Sequence, residues 1–199
     1  MSFSKNKRVV IKVGSALIAP DNNGCSTKYL TDIAQFIHHC HQQGQQVVLV
    51  SSGSVAAGKQ RFPTNTQSIA TKKAMAAAGQ NEMMATWGQL INIPVAQILL
   101  THADLCNRER YVSIKETIES LLEHNVLPII NENDTVATDE IRFGDNDTLA
   151  ALVANLLEAD LLIILTDVEG LLNADPRVNA NAKRIVTAVA TDPSLDAMP

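Results

Sequence analysis

The chain has 199 residues, of which 46% are hydrophobic and only 4% aromatic, so we expect one sizeable domain with an aliphatic core. Its formal net charge of -5 argues against nucleic acid or an anionic membrane as the main partner. Three scattered cysteines without a C-x-x-C pair argue against a disulfide framework or a zinc site, and no apolar run approaches the roughly 20 residues of a membrane span. These features predict a cytoplasmic protein.

The first predicted element is a buried strand over residues 9–13 that contains a lysine, Lys12, and is followed by Gly14 and Ser15. A lysine in a buried strand is costly unless its ammonium emerges at the strand end beside a counter-charge. We therefore predict that Lys12 is functional. The alternatives are a lysine that snorkels to water and a lysine on an edge strand.

The second strand, residues 47–50, follows a helix that is predicted to begin at Ser26 or Thr27 and to run to Gln43. It ends in the small residues of the segment 51–54, Ser-Ser-Gly-Ser. Small residues at the carboxyl end of a strand, ahead of a helix, are typical of ligand sites in parallel α/β sheets.

Residues 53–59 nearly match a phosphate-binding P-loop, G-x-x-x-x-G-K. Gln60, however, stands where that loop needs Ser or Thr for magnesium, and the intervening residues are mostly alanine. A short helix over residues 55–58 is the better prediction.

The remaining elements continue the alternation of helices and strands. Gly79 is predicted to separate two helices, and three more strands are predicted with amphipathic helices between them. This alternation predicts a mostly parallel sheet that is covered on both faces. The predicted helices after residue 60 are 67–78, 80–90, 112–124 and 148–157, and the strands are 95–100, 126–130 and 161–165.

The stretch 131–147, directly after the fourth strand, holds six carboxylates and three asparagines. Such a cluster repels itself unless an amine, a magnesium ion or a lysine organises it. The alternative is a solvated loop whose Asp145 or Asp147 caps the next helix.

Four polar groups are predicted to share one location, because each follows the carboxyl end of a strand. In an open parallel sheet those ends line one crevice. This convergence favours an active site over unrelated loops. The groups are 12–14, 51–53, 131–134 and 166–167.

Seven segments together resemble the amino acid kinase family, and within it the branch that phosphorylates glutamate. The resemblance runs from about residue 8 to residue 184 and keeps the order of the family's motifs. Its most specific part is I-N-E-N-D followed by G-D-N-D. The segments are 10–15, 51–58, 78–80, 130–134, 144–147, 166–167 and 175–177.

The resemblance implies an α/β fold, a three-layer αβα sandwich with a mostly parallel central sheet. It also implies ATP-dependent phosphorylation, with Mg²⁺, of the γ-carboxylate of L-glutamate, the first step of proline biosynthesis. Family members assemble as dimers or tetramers and are inhibited by proline, so a homo-oligomer with proline as feedback inhibitor is expected.

The nucleotide is expected at five of the matched residues. Lys12 matches the lysine that contacts the ATP phosphates, and Gly14 and Ser15 follow it in the same motif. Thr166 and Asp167 match nucleotide-binding positions.

Glutamate is expected at a second set of matched residues. Ser52, Asp134 and Asn146 match the glutamate-binding positions, and the backbone of Gly53 assists Ser52 with the α-carboxylate. Asp147 matches the aspartate that organises the catalytic lysines.

The resemblance also predicts the domain content of residues 1–199. They correspond to an amino acid kinase domain that is incomplete at its nucleotide-binding end, without the family's glycine-rich, lysine-bearing segment and without a C-terminal PUA-type domain. Two alternatives stay open at this point: a non-catalytic glutamate or proline sensor, and a sister kinase that acts on another acid.

Overall fold

The computed structural model describes residues 5–21, 24–62, 68–137, 146–174, 178–179 and 181–192, and the chain divides into two compact units, Met1–Leu165 and Thr166–Pro199. The strands of the first unit are Arg8–Val13 (β1), Gln46–Ser51 (β2), Val95–Leu100 (β3), Leu127–Glu132 (β4) and Leu161–Leu165 (β5). Its helices are Ser15–Ile18 (α1), Thr27–Gln42 (α2), Ser54–Gly58 (α3), Ile69–Leu90 (α4), His102–Cys106 (α5), Arg108–Glu123 (α6) and Asn146–Leu156 (α7), with a 3₁₀ turn at Lys59–Arg61.

The five strands form one sheet in the order β3-β4-β2-β1-β5, and every neighbouring pair is parallel. This confirms the predicted parallel sheet, and each predicted strand is found within two residues of its expected ends. Since β1 has a strand on either side, Lys12 is not on an edge strand, and the edge-strand alternative is wrong.

Both faces of the sheet are covered by helices, which confirms the three-layer αβα arrangement. Alternate side chains of β1 divide between two cores, because successive residues of a strand point to opposite faces. On one face, Ile11 packs with residues of α2 and α4, and on the other Val10 packs with residues of α6 and α7. The helical residues in these cores include Leu30, Ile33, Ile37, Met83 and Trp87 on the first face and Ile118, Leu122, Leu149 and Val153 on the second.

Helix α2 begins where the sequence predicts. The hydroxyl of Ser26 accepts a hydrogen bond from the backbone N–H of Lys28 and so caps the helix. Gly44 has a φ of 74°, a left-handed conformation that suits glycine just beyond a helix end.

The predicted break at Gly79 is wrong, because α4 is continuous from Ile69 to Leu90. Gly79 lies where α4 crosses the short helix α3, and a Cβ atom there would overlap the carbonyl oxygen of Ser54. In the same way, a Cβ atom at Gly58 on α3 would overlap the carbonyl oxygen of Met75 on α4. Glycine is therefore required by the close approach of two backbones, not by a helix end.

Substitution of Gly79 by alanine is expected to destabilise the fold by about 1–3 kcal/mol or more, because α3 and α4 would have to separate. Gly88 provides a matched control in the same helix. A Cβ there would lie 3.7 Å from Val95 Cγ2, an ordinary contact, so Gly88→Ala should stabilise by up to about 1 kcal/mol. Urea unfolding of both variants measures the difference, and equal effects would contradict the close-approach argument.

Asp160 joins the start of β1 to the start of β5. Its carboxylate accepts hydrogen bonds from the backbone N–H groups of Arg8 and Lys7, at 2.9 and 2.7 Å. These two bonds hold the pKa of Asp160 below its usual value, because they favour the ionised form. Stabilisation by Asp160 is thus present above the unfolded pKa of about 3.9 and is lost as the pH falls through the lower folded value.

The variant Asp160→Ala is expected to be less stable than the parent chain at pH 7, and the difference should shrink as the pH falls from about 5 to about 2.5. The control is Asp160→Asn, which keeps an acceptor oxygen but does not titrate. Urea midpoints across this pH range test the idea. A difference between Asp160→Ala and the parent that is the same at every pH would refute it.

In the second unit, an isolated antiparallel bridge joins Leu172 to Arg184. The Asn173 N–H donates to the Lys183 carbonyl, and the Ile185 N–H donates to the Leu171 carbonyl.

Among the described residues of the chain, no helix is long and apolar enough to cross a membrane.

Candidate functional site

Within the first unit, the segments that follow the strands meet along one edge of the sheet. The Ser52 N–H, just after β2, donates to the carbonyl of Val13 in β1 at 3.0 Å. The Asn133 N–H, just after β4, donates to the carbonyl of Leu100 in β3 at 2.8 Å. The sequence predicts this convergence, which follows from the parallel arrangement of the strands.

Lys12 is buried in the middle of this sheet and is paired with Asp147. The residue is 4% exposed, and its Nζ atom lies 2.5 Å from Oδ1 of Asp147 in the first turn of α7. A buried ammonium needs such a partner, because loss of its hydration is otherwise uncompensated. The Asp147 side chain is 41% exposed, so the ion pair reaches the surface of the first unit.

Asn146, directly before Asp147, is held by β4. Its Nδ2 donates to Oδ1 of Asn131 at 2.7 Å. Asn131 is 2% exposed and its own Nδ2 donates to Oε1 of Gln80 on α4 at 2.8 Å. The start of α7 is thereby fixed both to β1, through Asp147, and to β4, through Asn146.

Asp134 is held by the loop that follows β2. One of its carboxylate oxygens accepts a hydrogen bond from Ser54 Oγ at 2.8 Å. Gly53, before Ser54, has a φ of 97°, a left-handed conformation that turns the chain from β2 into α3. Ser54, two residues after the predicted glutamate-binding residue Ser52, thus contacts Asp134.

A cavity of about 280 Å³ opens beside Asp134 and Ser54. Most of its wall is apolar by area, but the carboxylates of Glu132 and Asp134 and several side-chain amides also line it. The wall is formed by α4, by Ser54 and by the ends of β3 and β4. This lining suits a small ligand that carries hydrogen-bond donors or a positive charge. The lining residues are Ser54, Ala76, Ala77, Gln80, Asn81, Gln97, Leu99, Glu132, Asn133, Asp134 and Thr135.

The other predicted residues are placed as follows. The Gly14 N–H donates to the carbonyl of Leu165 at the end of β5, and Ser15 begins α1. Thr166 and Asp167 directly follow β5 and belong to the second unit, where Thr166 Oγ1 donates to Asp167 Oδ1 at 3.2 Å. The predicted alternative cap, Asp145, and the motif 175–177 lie outside the described residues.

Within the described ranges, no group of three or more His, Cys, Asp or Glu side chains is arranged to hold a metal ion. The part of the acidic stretch that is described is organised by side-chain contacts instead. Lys12 pairs with Asp147, and Ser54 donates to Asp134.

Sequence reasoning missed three residues of this region: Ser54, Gln80 and Gln97. Ser54 could have been found, because it lies in the Ser-Ser-Gly-Ser segment. Gln80 lies in the matched segment 78–80, but the sequence indicates no role for it, and Gln97 carries no signal in the sequence. Their contacts depend on how α4 crosses β3 and β4.

The fold and this region define a class of protein: an α/β domain with a cavity beside the carboxyl ends of two strands of a parallel sheet. Comparison with known sequences agrees. Residues 7–195 match the sequence profile described as "Amino acid kinase family". The chain belongs to the amino acid kinase family.

Several curated relatives are about half identical to the chain. It is 54% identical over 191 residues to the glutamate 5-kinase of Idiomarina loihiensis. The aligned region covers 95% of this chain and 52% of the relative. It is likewise 54% identical over 193 residues to glutamate 5-kinase 1 of Pseudoalteromonas translucida, covering 96% of this chain and 52% of the relative. The chain thus spans about half the length of the curated relatives it matches.

Among solved structures, the UMP kinase of Bacillus anthracis is similar to this chain in fold. The TM-score is 0.56 with 17% sequence identity, over 89% of this chain and 72% of the other. At that identity the likeness concerns the fold alone.

Proposed function

We propose that the chain provides the amino-acid-binding part of an enzyme that transfers the γ-phosphoryl group of ATP to the γ-carboxylate of L-glutamate, giving L-glutamyl 5-phosphate. That reaction is the first step of proline biosynthesis. The names of relatives at 54% identity support it, and so does the buried pair of Lys12 and Asp147 beside Asn146. This pair is the single observation that carries the chemical argument.

Phosphoryl transfer to a carboxylate needs no strong base, because the acceptor is already ionised at neutral pH. It needs two anions held in line and the charge of the transferred group stabilised. The ammonium of Lys12 supplies that charge. Asp147 holds the ammonium in place by pairing with it.

Glutamate is proposed to bind between the loop after β2 and the start of α7. Asp134 and the amide of Asn146 accept hydrogen bonds from its ammonium, and Ser52 with the Gly53 backbone holds its α-carboxylate. The carboxylates of Glu132 and Asp134 in the cavity wall support a ligand with a free amine over an N-acylated acid.

In the first unit, the nucleotide is proposed to contact Lys12, Gly14 and Ser15. In the second unit, Thr166 and Asp167 are proposed as nucleotide contacts on the resemblance alone. The described residues do not provide a cage for Mg²⁺, since no three carboxylates or imidazoles converge. Magnesium takes few protein ligands when phosphates are present, so the ion is proposed to arrive on ATP.

Further properties are proposed with the function. The three free thiols, of which Cys40 is buried, suit the reducing cytoplasm. A homo-oligomer and inhibition by proline are also proposed. The predictions of no nucleic-acid partner and no membrane partner rest on the net charge of -5.

Calorimetric titration of the chain with L-glutamate tests the binding half of the proposal. The catalytic half is tested with an extended protein, in which this chain is followed by the part of the I. loihiensis glutamate 5-kinase that it does not match. The extended protein is assayed for release of ADP from Mg-ATP in the presence of glutamate. Binding with glutamate-dependent ADP release supports the proposal. Binding to both proteins without any ADP release favours the sensor, and no binding to either contradicts the proposal.

A further inference from the structure

Four side-chain amides form one hydrogen-bonded row at the carboxyl edge of the sheet. Gln80 Nε2 on α4 donates to Gln97 Oε1 on β3 at 3.2 Å, and Asn131 Nδ2 on β4 donates to Gln80 Oε1 at 2.8 Å. Asn146 Nδ2 on α7 donates to Asn131 Oδ1 at 2.7 Å. The two inner members are buried, Gln80 with 7% and Asn131 with 2% of its surface exposed.

One backbone group determines which end of the Asn131 amide in this row is oxygen and which is nitrogen. An amide side chain keeps its shape when its oxygen and nitrogen are exchanged, so its direction has to come from a neighbour of fixed polarity. The backbone N–H of Glu132 is such a neighbour, because it can only donate, and it lies 2.9 Å from Asn131 Oδ1. Oxygen therefore occupies that position, and the nitrogen of Asn131 faces Gln80.

The orientation of Asn131 also fixes the orientation of the Asn146 amide. Because Asn131 presents its oxygen to Asn146, the nitrogen of Asn146 is committed to that bond. Asn146 then offers its carbonyl oxygen, a pure acceptor, to a ligand. On the other side, Gln80 must accept from Asn131 with its oxygen, which leaves its nitrogen for Gln97.

We propose that Gln80 is a positioning residue for the ligand site: by accepting from Asn131 it keeps the Asn146 carbonyl turned toward the ligand, and so makes the site select an ammonium. This rests on the proposed function in taking glutamate as the ligand and Asn146 as one of its contacts. Without Gln80, the Asn131 nitrogen loses its buried acceptor, so the orientation that the Glu132 N–H imposes on Asn131 becomes costly. Asn131 can then leave this orientation, and Asn146 can turn with it. The site would then lose its preference for a donor.

Gln80→Met tests this, because methionine keeps the length of the side chain and removes both polar ends. Gln89→Met is the matched control, since Gln89 is an exposed glutamine on the same helix. Gln97→Met removes only the outer link from an exposed position, so it provides a second variant that is not expected to disturb folding.

The readout is the affinity for L-glutamate and for glutarate, the same diacid without the amine. Gln80→Met is expected to weaken glutamate binding about tenfold and to leave glutarate binding unchanged, while Gln97→Met weakens glutamate binding about twofold and Gln89→Met has no effect. Equal losses for both diacids in Gln80→Met would mean a packing role and overturn the proposal. Unchanged affinities in both Gln80→Met and Gln97→Met would overturn it as well.

A second readout needs no ligand. The side-chain NH₂ signals of Asn146 in an NMR spectrum are expected to move in Gln80→Met and to stay in Gln89→Met. If they stay in both variants, the positioning inference fails whatever the substrate is. If the parent chain binds no glutamate although these signals move, the proposed function fails and the hydrogen-bonded row is supported.

Discussion

Lys12→Met is expected to reduce phosphoryl transfer to glutamate by roughly a thousandfold or more in the extended protein, because the transferred group loses the cation that stabilises its charge. Glutamate affinity should change by less than about threefold, since Lys12 is assigned to the phosphates and not to the amino acid. A coupled assay of ADP release and calorimetry with glutamate measure the two effects separately.

Two controls separate this chemistry from stability. Lys115 also pairs with a carboxylate, that of Glu158 at 2.9 Å, but on the surface, so Lys115→Met should leave turnover and stability nearly unchanged. Lys12→Met leaves Asp147 without its ammonium, and adding Asp147→Asn should restore the lost stability without restoring turnover. Normal turnover in Lys12→Met would refute the role given to Lys12.

Asp134→Asn is expected to weaken glutamate binding by roughly 10- to 100-fold. The substitution keeps the shape of the side chain and an oxygen that can accept from Ser54, but removes the charge that pairs with the ammonium. Binding of glutarate, which has no ammonium, should be unaffected or slightly stronger. Calorimetry with both ligands gives the comparison.

Ser54→Ala is the control for Asp134, because it removes the donor on that carboxylate and leaves the charge. We expect a loss of glutamate affinity well below that of Asp134→Asn, since the hydroxyl only orients the carboxylate. If Asp134→Asn binds glutamate as tightly as the parent, the ammonium is held elsewhere and the assignment of Asp134 is wrong.

The strands and the sheet could be predicted because local sequence determines them. Short aliphatic runs such as residues 9–11 and 47–50 are apolar on both faces, and a parallel sheet with helices on both sides buries both. The need for a partner to Lys12 could also be predicted, because a charge in such a strand cannot remain unpaired.

What could not be predicted depends on contacts between distant elements. Gly79 was expected to end a helix, since glycine disfavours helix interiors, but the crossing of α3 and α4 reverses that preference. The bonds of Ser54 to Asp134 and of Gln80 to Asn131 join positions 80 and 51 residues apart. Neither composition nor periodicity carries information about them.

The most direct test traps the acyl phosphate. With ATP, glutamate and hydroxylamine, the extended protein is expected to yield glutamate γ-hydroxamate, and its Lys12→Met variant none. The intact I. loihiensis enzyme, assayed in parallel, is the reference. Hydroxamate from that reference but none from the folded extended protein, or equal amounts from the parent and the Lys12→Met variant, would contradict the account.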